Sequence, residues 1–305
     1  VEQAVRILDR HDARQAMLFG QLQEAHDAPR RFVGQAHGAD LARAHQIVQH
    51  AQRFFQRRSK VPTDAITFFA SHAHQPPPQV LFEARLVEVQ TNNLEELGID
   101  DLPPSLTQEE KQATIEMLLQ ARSGVYHEAA AESQSMKDAR PPRESHAPGT
   151  FWYYNNWDFN AAGTIFEKLT GKKIFETIKE EIANPIQMEH YEPSDGWYVT
   201  GEESIHPAYP FEVTARDLAR FGLLMLRKGK WKDQQIIPAN WVEESTRYHS
   251  DATLYKSDGY GYMWWIATGP FCGLNEGEFY ASGRGGQAVF IIPRLDTVVV
   301  HRTNI

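Results

Sequence analysis

An aromatic segment that runs directly into a helix-forming segment is the feature that most constrains how this chain can fold. It reads Pro148-Gly149-Thr150-Phe151-Trp152-Tyr153-Tyr154-Asn155-Asn156-Trp157-Asp158-Phe159-Asn160-Ala161-Ala162-Gly163. Apolar residues then recur at the spacing of one buried helix face, and Gly171 stands where the helix would end. They are Phe159, Ala162, Gly163, Phe166 and Leu169. The pattern predicts that Tyr154 and Asn156 lie in a loop just before an amphipathic helix.

Tyr154 and Asn156 are the candidate functional groups of this loop. A phenol can donate or accept a proton, whereas an amide both donates and accepts hydrogen bonds. A proton carrier and a substrate clamp two residues apart would suit an active site. When Tyr-x-Asn is taken alone, a purely structural interpretation, in which the aromatic side chains fill a core, explains it equally well.

The whole segment resembles the second motif of the penicillin-recognising serine hydrolases, the superfamily of class C β-lactamases, penicillin-binding proteins and related esterases and amidases. That motif reads roughly Pro-Gly-Thr, then Tyr-x-Asn, then a helix that ends in Gly. The match is continuous over residues 148–163, which makes it more specific than Tyr-x-Asn. The resemblance implies an α+β, β-lactamase-like fold with a helical region and an antiparallel sheet.

The resemblance extends over residues 94–304 and includes a helix before a Ser-Gly turn. Thr107 and Glu110 have the spacing of a capping box, and an apolar helix face follows them. This face consists of Ile115, Leu118 and Leu119. Ser123-Gly124 then matches a Ser-Gly element of the family, and the resemblance gives Ser123 a structural role and not that of the nucleophile.

Two further helices and a sheet are predicted after the aromatic segment. Ile174, Ile178 and Ile182 have helical spacing, and Thr214 with Asp217 caps another helix that ends at Gly229. The core-facing residues of that helix are Leu218, Phe221, Gly222 and Met225. Residues 259–266, 279–281, 288–292 and 297–302 read as adjacent antiparallel strands.

The segment Ser282-Gly283-Arg284-Gly285-Gly286-Gln287 lies between two of these strands, where the family has Lys-Thr-Gly or His-x-Gly. By resemblance Arg284 is the cation that holds a substrate carboxylate, and the backbone of Gly285 and Gly286 approaches the substrate closely. The backbone N–H of Gln287 would stabilise an oxyanion. Taken alone, the segment would be a Gly-rich hairpin turn, but the family's strand pair Phe-x-x-Pro-x-Leu-Asp-x-Val-Val-Val follows it.

The nucleophile is not identified, because no Ser-x-x-Lys occurs anywhere in the chain. The family places this motif about sixty residues before the Ser-Gly turn, where residues 63–79 stand here. Ser71 with His74 as its base is a weak alternative. Cys272 has no histidine pattern near it that would activate a nucleophile, and we interpret it as a small buried core residue. His72-x-His74 could be a pair of metal ligands, but no carboxylates accompany it to complete a metal site. We therefore expect no metal and no organic cofactor.

Composition excludes several other functions. The formal charge of −9 implies no basic face for nucleic acid, and one cysteine excludes an internal disulfide. No apolar run has the length of a membrane span, and the N-terminus lacks the pattern of a secretory signal. The resemblance alone implies a periplasmic or secreted protein that acts on a small-molecule ester, amide or peptide-like substrate.

Residues 1–79 differ in composition from residues 80–305, and we predict a domain boundary there. Lys60 is the only lysine of this region, which holds more than half of the histidines and reads as helix-rich. Residues 80–90 are strand-like. We expect the family's N-terminal strands and nucleophile helix to be replaced, since residues 1–79 do not match them, and the chain stops at Ile305, where the family's C-terminal helix would follow. Without strands from residues 1–79, the predicted sheet would keep an unpaired edge. A chimera, another reading frame and a diverged member all fit this pattern.

Two functions remain open on this evidence from the sequence. The first is a serine hydrolase that transfers an acyl group from an ester or amide, with Tyr154, Asn156 and Gln287 as its catalytic groups. The second is a binding or sensor protein on the same scaffold, a pseudoenzyme, which the missing Ser-x-x-Lys supports.

Limited proteolysis tests the predicted boundary. We expect the first cut between His72 and Val80, because Gln75-Pro76-Pro77-Pro78-Gln79 reads as an exposed, extended linker. Peptide masses would locate the cut, and a melting curve would show whether the two parts unfold separately. One cooperative transition, together with resistance of this segment to protease, would mean that residues 1–79 are part of a single fold.

Overall fold

The structure is a computed structural model that describes residues 92–252, 258–269, 274–283 and 286–302, and also the backbone of residues 5–8 and 67–68. Several predictions concern residues outside this part: the helices within residues 1–79, the linker, the strand over residues 80–90, Ser71, His72, His74, Cys272, Arg284 and Gly285. Among the described helices, none is both long and apolar enough to cross a membrane.

Six α-helices lie in the described part of the chain. They are α1 (Ile115–Leu119), α2 (Gln134–Ala139), α3 (Asn156–Thr170), α4 (Ile174–Thr177), α5 (Ala215–Leu226) and α6 (Ala239–Ser245). A π-helical segment, Ile178–Ala183, continues α4, so the predicted Ile174 helix changes its winding at Ile178.

Twelve strands form one large sheet and two small hairpins in the described residues. They are β1 (Val5–Leu8), β2 (Thr67–Phe68), β3 (Val199–Gly201), β4 (Ser204–Ala208), β5 (Lys230–Trp231), β6 (Gln234–Gln235), β7 (Ser250–Asp251), β8 (Asp258–Tyr260), β9 (Trp265–Ala267), β10 (Phe279–Ser282), β11 (Ala288–Ile292) and β12 (Thr297–His301). The large sheet has the order β2-β1-β12-β11-β10-β9-β8-β7, and β3–β4 and β5–β6 are the hairpins.

The predicted antiparallel sheet is confirmed by the pairing of β8 to β12. Neighbouring strands along this part of the chain are antiparallel, with Tyr280 opposite both Trp265 and Phe290. The strand β1 pairs in parallel with β12, Val5 opposite Val298. Within residues 1–79, the described segments 5–8 and 67–68 therefore join the sheet as strands, and the β12 edge is paired.

Local capping signals form as the sequence predicts. Thr107 N–H donates to Glu110 at 2.8 Å, and Glu110 N–H donates to the Thr107 hydroxyl at 3.2 Å. Gly171 ends α3 with a positive φ of 67°, a conformation that glycine adopts without strain. One boundary differs: Asn155 is the N-cap and Asn156 is already the first helical residue, so only Tyr154 precedes the helix.

The predicted buried face of α3 is confirmed for Gly163 and Phe166, but it omits a second buried face and wrongly includes Leu169. Trp157, Ala161 and Ile165 recur every fourth residue and lie almost completely buried in the main hydrophobic core. Leu169, predicted to be buried, is 38% exposed. The helix is covered on a second side by Tyr209, which contacts Gly163. A helix packed on two sides has no single apolar stripe, which explains the error.

The helix α5 packs closely on the sheet through Gly222. A Cβ atom at this position would lie 2.5 Å from Val298 and 3.0 Å from Val289, which are side chains of β12 and β11. Glycine therefore lets the helix approach the strands. Thr214 caps α5 as predicted by accepting from Asp217 N–H at 3.2 Å.

Replacing Gly222 by valine should destabilise the fold. The added atoms have no space against β11 and β12, and overpacking of this kind costs about 1–3 kcal/mol. Urea unfolding would measure the free energy of unfolding. Arg216→Val, at an exposed position of the same helix, is the control. Equal values for the two variants would contradict the close contact.

Candidate active site

Tyr154 is held against the sheet by aromatic side chains. Its ring stacks on Trp265 of β9, with ring centroids 5.5 Å apart and an angle of 23° between the planes. The edges of Phe159 and Tyr260 lie 5.0 and 6.1 Å away, measured between centroids. Offset stacks and edge contacts are the preferred geometries of aromatic pairs. The loop before α3 is therefore fixed beside β9.

The aromatic contact continues across the sheet towards the Gly-rich turn. Trp265 stacks on Tyr280 of β10, which stacks on Phe290 of β11. Strand side chains alternate between faces, so these three lie on the side turned away from α5. Tyr280 stands three residues before Gly283, which is about 10 Å along a strand. The distance from Tyr154 to the Gly285–Gly286 backbone stays a prediction, because Gly285 lies outside the described residues.

Asn156 has a fixed side chain at the start of α3. Its amide nitrogen donates to the carbonyl oxygen of Ala130 at 3.3 Å, and Asn160 donates to the same oxygen at 3.2 Å. The two asparagines lie one helical turn apart and together hold the segment that contains Ala130. Asn156 thus points its amide towards residues 123–130.

Gly286 and Gln287 lie in the turn between β10 and β11. Gly283 N–H donates to the Gln287 carbonyl at 2.8 Å, and Gly286 N–H donates to the Gly283 carbonyl at 3.3 Å. The φ of Gly286 is 88°, which favours glycine. His301 of β12 contacts this turn through its Nδ1, 2.7 Å from the Gly286 carbonyl oxygen.

A buried carboxyl group in the first turn of α3 was not predicted from the sequence. Asp158 is fully buried and accepts a short hydrogen bond from the Ser123 hydroxyl. Burial raises the pKa of Asp158 to about 8, although the hydrogen bonds with Ser123 and Asn155 act in the opposite direction and lower it. The Ser123 hydroxyl also accepts from Val125 N–H at 2.9 Å. Ser123 therefore joins the Ser-Gly turn to α3, in agreement with its structural role.

A second buried polar network anchors the same end of α3. The Trp157 indole N–H donates to Asp101 at 2.5 Å. His127 lies between two carboxylates, with Nδ1 3.7 Å from Asp101 and Nε2 3.5 Å from Glu110, and Arg143 pairs with Glu110 at 2.8 Å. Burial opposes the charge on His127, but its contacts with Asp101 and Glu110 outweigh burial and raise its pKa. No sequence signal joins these residues, since they are far apart in the chain.

In the described parts of the chain, no group of three or more His, Cys, Asp or Glu side chains could hold a metal ion. The candidate groups predicted from the sequence are the phenol of Tyr154, the amide of Asn156 and the Gly-rich turn between β10 and β11. Helices packed on an antiparallel sheet define a β-lactamase-like fold of the penicillin-recognising serine hydrolase superfamily. The Beta-lactamase family profile matches residues 84–305, and the chain belongs to this family.

Solved structures have the same fold at low sequence identity. A putative 6-aminohexanoate-dimer hydrolase from Bacillus anthracis is 23% identical with a TM-score of 0.52, and the match covers 72% of this chain and 62% of the hydrolase. A penicillin-binding protein homologue from Caulobacter crescentus is 14% identical with a TM-score of 0.52, covering 87% of this chain and 91% of that protein. A class C β-lactamase is 12% identical with a TM-score of 0.50, covering 90% and 95%. A sequence search of curated proteins found no match.

Replacing Asp158 by asparagine should change how stability depends on pH. The carboxyl group ionises near pH 3.8 when unfolded, but only near pH 8 when folded. Between these values the folded state binds more protons, so stability falls as the pH rises. The melting temperature of Asp158→Asn, relative to the wild type, should therefore increase from about pH 4 to 8 and then level off. Asp138→Asn, on exposed α2, is the control. A difference in melting temperature between Asp158→Asn and the wild type that stays the same at every pH would contradict a raised pKa of the buried Asp158.

His127→Phe should destabilise the fold most at low pH. The folded pKa of His127 is raised above 6.5, so its charge stabilises the fold fully below pH 6.5 and less as the pH rises through the folded pKa. Removal of one partner of a buried ion pair costs about 3–5 kcal/mol, which is the loss expected at low pH. Chemical unfolding at several pH values measures the loss of free energy of unfolding in His127→Phe. His190→Phe, at an exposed position, is the control. A loss that grows with pH would show that His127 is neutral.

Proposed function

We propose that this chain is a serine hydrolase of the β-lactamase-related type. It transfers the acyl group of a small-molecule ester, amide or peptide-like substrate to a serine and then to water. The observation that supports this most is the stacking of Tyr154 on Trp265, which places a phenol beside β9, the neighbour of the strand β10 that leads into the Gly-rich turn. A phenol, a fixed amide and a backbone donor near one cleft suit acyl transfer.

Each residue has a separate role in this proposal. Tyr154 carries the proton between the nucleophile and the leaving group, and Asn156 orients the substrate. Arg284 binds a carboxylate of the substrate, Gly286 allows its close approach, and the Gln287 N–H stabilises the oxyanion. By the family resemblance, the positive charge of Arg284 would also favour the ionised phenolate of Tyr154.

The nucleophile remains unassigned in this proposal. Ser123 lies near α3, but it is 1% exposed and its hydroxyl is bonded to Asp158. The absence of Ser-x-x-Lys from the sequence favours a second candidate function, a non-catalytic binding or sensor protein that uses the same cleft. The two functions differ in whether a covalent acyl-enzyme forms.

Hydrolysis of p-nitrophenyl esters and of linear amide dimers tests the first function. Tyr154→Phe should lower kcat/KM about 10²-fold or more, the usual contribution of a positioned proton carrier, without a change in melting temperature. Tyr153→Phe is a matched control, because it removes the adjacent hydroxyl, which donates to the Met136 carbonyl at 2.7 Å. Equal effects of the two substitutions would remove Tyr154 from the mechanism.

Labelling by a fluorophosphonate or a penicillin separates the two functions. An active serine hydrolase should be labelled stoichiometrically, whereas the binding or sensor protein should show little or no labelling, as the absence of a Ser-x-x-Lys pair from the sequence implies. Intact mass measures the modification, and peptide masses locate it. Stoichiometric labelling would establish a nucleophilic serine and, on Ser71, would favour the serine-histidine alternative. Reversible binding of the same ligands without labelling or turnover would establish the binding function.

A further inference from the structure

A surface cavity lies beside the second half of α3, where the β3–β4 hairpin packs on this helix, and we call it the α3 cavity. Its volume is about 360 Å³, within the range of about 300–1,000 Å³ of small-molecule sites. Thr164 and Lys168 of α3 line it. With a rise of about 1.5 Å per residue, they lie roughly 12 and 18 Å further along the helix than Asn156. The α3 cavity is therefore separate from the candidate active site.

Apolar side chains form part of the wall of the α3 cavity. They are Ile174 of α4, and Ile205 and Pro207 of β4. Ile174 is buried, whereas Ile205 is 53% exposed. A ligand that covers Ile205 would remove apolar surface from water, which favours binding. The wall therefore suits a ligand with an apolar part.

The hydroxyl group of Thr164 is already used within the protein. Nε2 of the buried His206 lies 2.9 Å from the Asp100 carbonyl oxygen, which only accepts hydrogen bonds, so Nε2 donates. Burial lowers the pKa of His206, so the ring is neutral near pH 7 and its Nδ1 accepts from the Thr164 hydroxyl at 3.1 Å. This contact joins α3 to β4 and fixes the wall before a ligand arrives.

The two tyrosines that line the α3 cavity also use their hydroxyl protons within the protein. Tyr198 donates to the carboxylate of Glu167, and Tyr209 donates to the Phe159 carbonyl at 2.8 Å. A phenol has one O–H proton. Neither tyrosine therefore keeps a donor for a ligand.

Lys168 is the side chain that keeps a donor, among the described residues that line the cavity. Its Nζ donates to the carbonyl oxygens of Leu97 and Gly98 at 2.7 and 2.9 Å. An ammonium group has three N–H groups, so one remains. Both partners are neutral, and within the described parts of the chain no carboxylate forms an ion pair with Lys168.

Glu167 is the other charged side chain of the wall, and its charge is balanced. Its Oε2 accepts from Lys173 Nζ at 2.6 Å. Burial opposes the ionisation of Glu167, but its bonds with Lys173 and Tyr198 outweigh burial and lower its pKa. Since Lys173 balances Glu167, the charge of Lys168 is left without a counter-charge in the wall.

We propose that the α3 cavity binds a small carboxylate with a short aliphatic chain, whose head group contacts Lys168 and whose chain covers Ile205, Ile174 and Pro207. One ammonium with one remaining N–H suits a monoanion, whereas a phosphate would need several donors. Hydrolysis of an ester or an amide releases a carboxylate, so a product could bind here. That link rests on the proposed function, but binding itself does not.

NMR of the 15N-labelled protein tests the proposal by titration with pentanoate. We expect the amide signals of Thr164, Lys168 and Ile205 to shift and to saturate. Three probes separate the parts of the ligand: pentanamide lacks the charge, acetate lacks the chain and pentylamine has the opposite charge. Each should bind more weakly than pentanoate, and pentylamine should bind least.

Two substitutions in the wall test the head group and the chain separately. Lys168→Gln should raise the Kd of pentanoate about 3- to 10-fold, as expected for the loss of a partly exposed charged hydrogen bond. Ile205→Glu should weaken binding at least as much, because it adds a like charge and removes apolar surface at an exposed position. Lys137→Gln, at an exposed position of α2, is the matched control and should leave the Kd unchanged. Melting temperatures would show that each variant is folded.

The outcomes of the titration distinguish this proposal from the proposed function. Shifts confined to the signals of Tyr154 and Trp265 would mean that pentanoate binds in the active-site cleft, and would overturn the α3 cavity as its site. An equal response to acetate or pentylamine, or a Kd that neither substitution in the wall changes, would also overturn it. The titration requires no turnover, so a chain that hydrolyses no substrate would refute the hydrolase function alone.

Discussion

The burial of Trp157 at the start of α3 is the interaction on which the candidate site depends. The side chain is fully buried, and its indole N–H donates to Asp101. Asp101 also accepts from the Ser204 hydroxyl and from Ile205 N–H, each at 3.1 Å, which attaches the β3–β4 hairpin to the same carboxylate. Truncation of a buried tryptophan costs about 3–5 kcal/mol, so this one contact fixes the helix strongly.

Anchoring the first turn of α3 also fixes the loop before it. Tyr154 lies three residues before Trp157 and packs on Trp265, so the loop is held at one end by the core and along its length by the sheet. Catalytic groups must be positioned before the substrate arrives, because ordering them later would cost conformational entropy. The aromatic composition of this loop supplies that rigidity with few rotatable bonds.

Buried polar groups at the site share one feature: each joins two elements that are distant in sequence. Asp158 binds Ser123, 35 residues earlier, and His301 binds Gly286, 15 residues earlier. A buried polar group without a partner is costly, so each pair is stable only when both elements are correctly placed. These pairs therefore make the arrangement of the site specific, while the apolar core supplies most of its stability.

Local features of the fold could be predicted from the sequence because they depend on neighbouring residues. The Thr107–Glu110 capping box, the end of α3 at Gly171 and the antiparallel strands β10 to β12 follow from side-chain chemistry and periodicity within a few positions. The Tyr-x-Asn loop and the Gly-rich turn could be recognised as candidate sites in the same way. The second buried face of α3, which contains Trp157, Ala161 and Ile165, was not predicted, because a helix covered on two sides has no single apolar stripe. The partners of Asp158, His127 and His301 were also decided only by the tertiary structure, because hydrogen bonds between distant residues depend on how the elements pack and leave no periodic signal in the chain.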